Sequence, residues 1–201
     1  MIYFHEKREV FFMILNMQNL SEEPSEIDGL KILSVKSITD ERGTVRELFR
    51  KSSYNALTAD FVWKQINLTQ TKKGAVRGLH GENMTKLVSV AKGVAFGVYV
   101  DTRLDSPTLG NIVTVKLVPG IQVLVPKGVC NGFQALEDNT EYLYFFDEEW
   151  MPQMSGVALS PLAPDLNIDW PIHIDSTNLE QISLKDAQAP CLKDIINPKM
   201  D

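Results

Sequence analysis

From Leu30 onward, short apolar runs alternate with polar breaks. The runs are Lys31–Val35, Phe61–Leu68, Ala75–Leu79, Lys86–Val90, Val94–Val100, Ile112–Leu117, Gln122–Val125 and Glu141–Phe146, and they are rich in Val, Ile, Phe and Tyr. The breaks fall at Asp40–Gly43, Lys72–Gly74, Lys92–Gly93, Asp105–Gly110, Pro119–Gly120, Lys127–Gly128 and Glu137–Asn139. These hold the Gly, Pro, Asn and Asp residues that tight turns favour. Many short strands at close spacing predict an all-β sandwich or barrel. No long segment of 3.6-residue period competes, and only Ser53–Thr58 reads as a short helix. After Trp170 the prolines Pro171, Pro190 and Pro198 predict a tail that wraps the surface, with a helical turn near Ser183–Gln188. No segment repeats at a fixed period.

The organisation expected is an N-terminal arm and linker at 1–27 followed by a single β-rich domain at 28–201. Ser21–Ile27 (SEEPSEI) is polar and acidic, and reads as a solvated linker. Within the arm, Val10–Leu15 (VFFMIL) follows Lys7 and Arg8 in the manner of a short signal segment. It is too short to span a bilayer, is flanked by Glu6 and Glu9, and precedes no small-residue cleavage site. A strand or arm packing on a partner is the better reading. Met13 and Met17 are alternative starts.

Composition narrows the function. The 201 residues carry 20 Lys and Arg against 26 Asp and Glu, a net charge of -6. That balance excludes general nucleic-acid binding, because phosphate neutralisation needs a basic surface. An anionic ligand would have to be met by a few local cations. The two cysteines, Cys130 and Cys191, form no metal-type spacing and no disulfide framework, which points to a reducing, cytoplasmic setting. Cys130 reads as a small core hydrophobe. The three histidines, His5, His80 and His173, include no His-x-His pair, and Glu82 near His80 is a poor substitute. No metal site is expected.

The informative stretch is Gln65–Val90. Gln65, Asn67 and Thr69 alternate with Ile66 and Leu68, so one strand face is polar and faces either solvent or a ligand cavity. In Val76-Arg77-Gly78-Leu79-His80, Arg77 and His80 have opposite parity on a regular strand. Gly78 permits a bulge that would turn both toward one cavity. Lys86 opens an apolar strand, either as a solvated edge charge or as a site residue. Tyr142 and Tyr144 share a face, either as a cross-strand aromatic ladder or with a hydroxyl placed for acid catalysis.

Taken together, the strings DERGTVRE (Asp40–Glu47), Gln65-x-Asn67, VRGLH (Val76–His80), KLV (Lys86–Val88), VDTRLDSPTLG (Val100–Gly110), VPKGVCNGFQAL (Val125–Leu136), EYLY (Glu141–Tyr144), NIDWP (Asn167–Pro171) and KDAQAP (Lys185–Pro190) resemble, in order and spacing, the dTDP-4-dehydrorhamnose 3,5-epimerase family. The resemblance runs from about Leu30 to Leu192. It implies a cupin-type double-stranded β-helix, or jelly roll, that works without metal or cofactor and forms a homodimer. The implied activity is epimerisation of a nucleotide-linked 4-keto-6-deoxy sugar in deoxysugar and polysaccharide biosynthesis. By resemblance, His80 is the base that removes a carbon-bound proton, Tyr144 returns one on the opposite face, and Lys86 lies near the C-4 oxygen. Arg42, Glu47, Gln65, Asn67 and Arg77 match positions that hold the nucleotide and its phosphates.

The implied chemistry is coherent. A proton beside a ketone is acidic because its loss delocalises charge onto the carbonyl oxygen. Neutral imidazole, with a reference pKa of about 6.5, suits its removal. Arginines such as Arg77 and Arg42 offset the repulsion between a diphosphate and an acidic protein.

Five positions depart from the family pattern. Asn131 stands where the family has a second histidine, still able to donate a hydrogen bond to phosphate. Gly97 replaces an aspartate, Gly81 an aromatic residue and Trp150 a tyrosine. The acid expected beside the base matches Ala163, leaving Asp165, two positions on, as the candidate partner of His80. These departures make a single inversion at C-3 an alternative to double inversion at C-3 and C-5. They also keep open a non-catalytic sugar-nucleotide-binding cupin. A metal-dependent cupin is disfavoured by the single core histidine.

Overall fold

The structure, a computed structural model, describes residues 16–55 and 62–197. The expectations for Val10–Leu15, His5, Met13, Phe61 and Pro198, and for the end of the Ser53–Thr58 helix, lie outside those residues.

The described strands run in the order β1 (Asn16–Gln18), β2 (Ser21–Pro24), β3 (Lys31–Ser34), β4 (Lys36–Asp40), β5 (Gly43–Glu47), β6 (Gln65–Thr71), β7 (Val76–Glu82), β8 (Lys86–Lys92), β9 (Ala95–Asp101), β10 (Ile112–Leu117), β11 (Ile121–Val125), β12 (Val129–Ala135), β13 (Thr140–Phe146) and β14 (Gly156–Ala158). Three short α-helices, α1 (Lys51–Tyr54), α2 (Leu184–Ala187) and α3 (Leu192–Ile196), and one 3-10 turn at Pro164–Leu166 accompany them. The expected helical turn near Ser183–Gln188 is α2. The Ser21–Ile27 segment, expected as linker, contributes the exposed strand β2, whose backbone pairs with β3.

Among the described residues all pairings are antiparallel. A six-stranded sheet, β2-β3-β11-β8-β13-β6, faces a five-stranded sheet, β10-β9-β12-β7-β14, and a small third sheet joins β1, β4 and β5. The all-β jelly-roll expectation is met. Alternation explains how the layers form. Along β8, Val88 and Val90 enter the core between the two large sheets, while Leu87 joins an outer cluster with Leu33, Leu124 and Phe145. Along β13, Tyr142 goes inward and Phe145 outward. The Phe133 and Tyr142 rings stack at 3.9 Å between centroids, closing the floor of the interior. Such a pair adds about 1 kcal/mol beyond its area burial.

The outer face of the five-stranded sheet would be an exposed apolar patch without the C-terminal tail. Leu159, Leu166 and Leu192 cover Leu79, Val98, Val100 and Cys130 there. Backbone bonds from Val76 N to Gln181 O (2.7 Å) and from Ser160 N to Pro190 O (3.0 Å) tie the tail down. This clamping delivers α2 to the edge of the site.

Candidate active site

The central element is the irregular pairing of β7 with β12. Arg77 opposes Phe133 and His80 opposes Asn131, so two residues of β7 stand against the single Gly132. Gly78 lies in that bulge with φ of 109°, and a Cβ there would come within 2.7 Å of Asn131 O and Gly132 Cα. Only glycine fits. The bulge resets parity as expected: Arg77 and His80 line one cavity of about 400 Å³, while Leu79 turns to the outer cluster.

Asp186 pins the His80 ring. Its Oδ1 lies 2.7 Å from His80 Nε2. A ring N–H donated to this carboxylate leaves the opposite nitrogen unprotonated and basic. Asp186 is itself placed by α2, where the Ser183 hydroxyl caps the helix by accepting from Asp186 N at 3.1 Å. Burial pushes the Asp186 carboxyl up, but the hydrogen bond and charge of His80 more than offset this and hold it below the usual aspartate value. Asp165 does not fill the role expected of it. Its carboxylate accepts from Lys193 N at 2.8 Å, anchoring the start of α3. The partner of His80 is therefore Asp186, from the KDAQAP string. A serine just before a helical turn is a local signal for such a cap, but nothing local points to a contact across 106 residues.

Opposite, β8 and β13 supply Lys86 and Tyr144. Lys86 shares the inward face of Val88 and so sits at the mouth of the interior rather than on a solvated edge; the residue is buried. Its ammonium donates to Asn131 Oδ1 at 2.6 Å and to His80 O at 3.1 Å, and it pairs with the Glu82 carboxylate. Burial pushes Glu82 up, and the Lys86 charge and hydrogen bond more than reverse that. Glu82, dismissed above as a metal ligand, is thus part of the site. Tyr144, half-buried above Tyr142, lines the same cavity as His80, and burial holds its phenol well above the ordinary tyrosine value.

The polar face of β6 turns inward. Asn67 and Thr69 line the cavity, whereas Ile66 and Leu68 are 58% and 56% exposed. Gln65 acts at the rim, donating to Asn67 Oδ1 (3.0 Å) and accepting from Trp150 N (2.8 Å). Trp150 forms part of the wall. The space an aspartate would need at Gly97 is taken by Tyr99, whose hydroxyl lies 2.9 Å from where a Cβ would stand. At Gly81 a Cβ would come within 3.0 Å of Cys130 N and Sγ. Burial pushes the Cys130 thiol up to about 12, so it is no nucleophile at neutral pH.

Two expected ligand residues are not brought to this cavity within the chain. Arg42 pairs with Asp40 at 2.6 Å in the β4–β5 turn, and Glu47 pairs with Arg50 beyond β5. Arg77 donates Nε to Thr71 Oγ1 at 3.1 Å and borders a second, adjoining cavity of about 340 Å³ that also reaches Asp186 and Lys72. Among the described residues no group of His, Cys, Asp and Glu side chains could hold a metal ion. The arrangement combines an oriented imidazole, a protonated phenol and a hydrogen-bonding wall in one cleft, with an arginine at its edge. These are the parts needed to remove and return a proton at an acidic carbon.

The family model for dTDP-4-dehydrorhamnose 3,5-epimerase matches residues 24–194. A Salmonella typhimurium dTDP-4-dehydrorhamnose 3,5-epimerase is 37% identical over 173 residues, covering 83% of this chain and 92% of the relative. A Streptomyces bikiniensis dTDP-4-dehydro-6-deoxyglucose 3-epimerase is 31% identical over 161 residues, 77% of this chain and 80% of the relative. Among solved structures, the dTDP-6-deoxy-D-glucose-3,5-epimerase of Legionella pneumophila, in complex with dTDP-4-keto-L-rhamnose, superposes with a TM-score of 0.79 at 34% identity. It covers 91% of this chain and 100% of that one.

Proposed function

The chain belongs to the dTDP-4-dehydrorhamnose 3,5-epimerase family, and from that premise we propose how its residues divide the reaction. It is an isomerase that epimerises a nucleotide-linked 4-keto-6-deoxy sugar in deoxysugar biosynthesis. The observation that carries the assignment of roles is the 2.7 Å contact between His80 and Asp186 at a cavity shared with Tyr144.

His80 takes the proton from C-3, and the electron pair of that C–H bond moves onto the C-4 oxygen as an enolate. Tyr144 protonates C-3 from the other face, inverting the centre. The phenol is protonated at neutral pH even at its ordinary value, and burial raises it further, so a proton is there to give. Solvent then strips the imidazolium and reprotonates the phenolate, and the sugar keeps its composition. Inversion at C-3 is the step common to both activities named among the relatives. Lys86 and Asn131 form the wall facing the C-4 oxygen. Arg77, Gln65, Asn67 and Thr69 line the approach for a thymidine diphosphate, with the guanidinium offsetting the acidic net charge.

The homodimer is part of this reading. Arg42 and Glu47 reach the nucleotide from a second copy, whose contact covers Met17 and Val45 of the small sheet, exposed by 60% and 74%. Light scattering on a sizing column should give twice the chain mass, and a monomeric mass at micromolar concentration would refute the exchange. Among the described residues no helix is long and apolar enough to cross a membrane. Free Cys130 and Cys191 suit a reducing cytoplasm.

The decisive experiment is NMR of dTDP-4-keto-6-deoxyglucose with the enzyme in heavy water. Deuterium should enter at C-3, and signal at C-5 would add the second inversion. His80→Ala should abolish exchange while its circular dichroism stays native. Exchange surviving in that variant would remove His80 as the base.

A further inference from the structure

The two cations that border the catalytic cavity differ in what surrounds them. Lys86 is buried and paired with Glu82, whereas Arg77 is exposed and, among the described residues, forms an ion pair with no carboxylate. Its guanidinium donates to one acceptor among them, from Nε to Thr71 Oγ1 at 3.1 Å. A guanidinium carries five N–H groups in a rigid planar fork. With Nε spent, the four on Nη1 and Nη2 remain, at the border of the two adjoining cavities. A fork without a counter-charge matches the paired oxygens of a diphosphate.

The acceptor that sets this fork is built into the β6–β7 hairpin. Thr71 ends β6, and Arg77 is the second residue of β7. Thr71 continues the inward polar face of Asn67 and Thr69, and only 3% of it is exposed. The turn between them is tied to the end of β12, where Gly74 N donates to Ala135 O at 2.8 Å and Ala135 N to Ala75 O at 3.0 Å. The hydroxyl is thus held on fixed backbone, while the arginine stem is long and exposed. Such a stem samples many rotamers unless something holds it, and ordering it on binding lowers affinity about 2- to 12-fold.

We propose that Thr71 is a positioning residue: by accepting from Arg77 Nε it sets the guanidinium fork for the diphosphate before the ligand arrives. The inference rests on the epimerase reading above and adds a residue that acts on the nucleotide through Arg77. Once the diphosphate is bound, its own oxygens hold the fork, so the surroundings of His80 and Tyr144 are the same with or without the hydroxyl. The effect therefore falls on binding and leaves turnover alone.

Thr71→Val removes the hydroxyl and keeps the branched shape, and Thr71→Ser keeps the hydroxyl. The readouts are dTDP affinity by calorimetry, and KM and kcat with dTDP-4-keto-6-deoxyglucose; the dTDP titration is repeated in an Arg77→Met background. Thr71→Val should weaken dTDP binding roughly fivefold and raise KM in step, with kcat within about twofold of wild type. Thr71→Ser should bind dTDP within about twofold of wild type, and in the Arg77→Met background Thr71→Val should have no further effect. Wild-type affinity in Thr71→Val would overturn the proposal. So would an equal loss in Thr71→Ser, which would make Thr71 a packing residue, or a loss that persists without Arg77, which would make it a direct ligand contact. Absence of C-3 exchange in the wild type would overturn the epimerase reading instead, and the dTDP titrations would still decide the role of Thr71.

Discussion

Two carboxylate-centred networks in this protein have similar ingredients and opposite ends. At the end of β9, Asp101 is 0% exposed and accepts from Arg103 Nε and Nη2 at 2.8 Å each, and from Thr108 Oγ1 at 2.6 Å. Arg103 continues to Asp28 O at 2.8 Å. Desolvation pushes Asp101 up, and the hydrogen bonds from Arg103, Ser106 and Thr108 drive it far below the usual aspartate value. Every strand of that network terminates in protein, and it staples the 102–111 connection onto the β9 end. The Asp186–His80 and Glu82–Lys86–Asn131 networks are also largely buried, but each ends on an atom facing a cavity. Buried charge therefore marks rigidity in one place and reactivity in the other. What separates them is where the last donor or lone pair points.

Substitution can break that contrast. The largest effect should come from Asp186→Asn, which keeps the contact with His80 but removes the charge that orients the ring and stabilises the imidazolium. The turnover rate should fall between about 100-fold and 10 000-fold with dTDP affinity nearly unchanged. A loss below about threefold would show that the imidazole needs no partner. Asp101→Asn should behave in the opposite way. It breaks a pair whose carboxylate is fully buried and leaves the half-buried Arg103 without its counter-charge, at a stability loss of about 3 kcal/mol, or roughly 10 °C in melting temperature for a domain of this size. Rate per folded molecule should be unchanged, and a specific loss of exchange would erase the distinction.

The smallest effect is the acid limb of stability. Asp101, Glu82 and Asp186 all sit below their ordinary values when folded. Their contribution is complete above about pH 4.5, the unfolded carboxylate range, and is lost as pH falls through the lower folded values. Melting temperatures from pH 7 to pH 3 should fall chiefly below pH 4.5. The fall should be shallower in Asp101→Asn than in wild type.

The legible parts of this molecule were those with a local signature. β8 and β13 alternate inward and outward residues, and their strands fall where the pattern puts them. β12 escaped because all seven of its residues are buried, so no alternation marks it. The polar stripe of β6 was visible, but its direction depended on which face the opposite sheet would cover. The Gly78 bulge was readable because only one residue could reconcile Arg77 with His80. The partner of His80 was not, since Asp165 and Asp186 are equivalent in sequence and only the docking of the C-terminal tail distinguishes them. Likewise Glu82, set aside for want of metal-ligand neighbours, acquired its role from a lysine four residues on along the turn into β8.

Gly78 also shapes how this enzyme can diversify. At that point β7 meets β12 across little more than a hydrogen atom, and any larger group would wedge the two strands apart and drag His80 and Asn131 with them. Variation in sugar preference should accordingly accumulate at the rim, on Trp150 and its neighbours, where side chains change without moving the backbone. A saturation library would show this as a sharply uneven landscape, with a single tolerated residue at the seam and broad tolerance a few ångströms away.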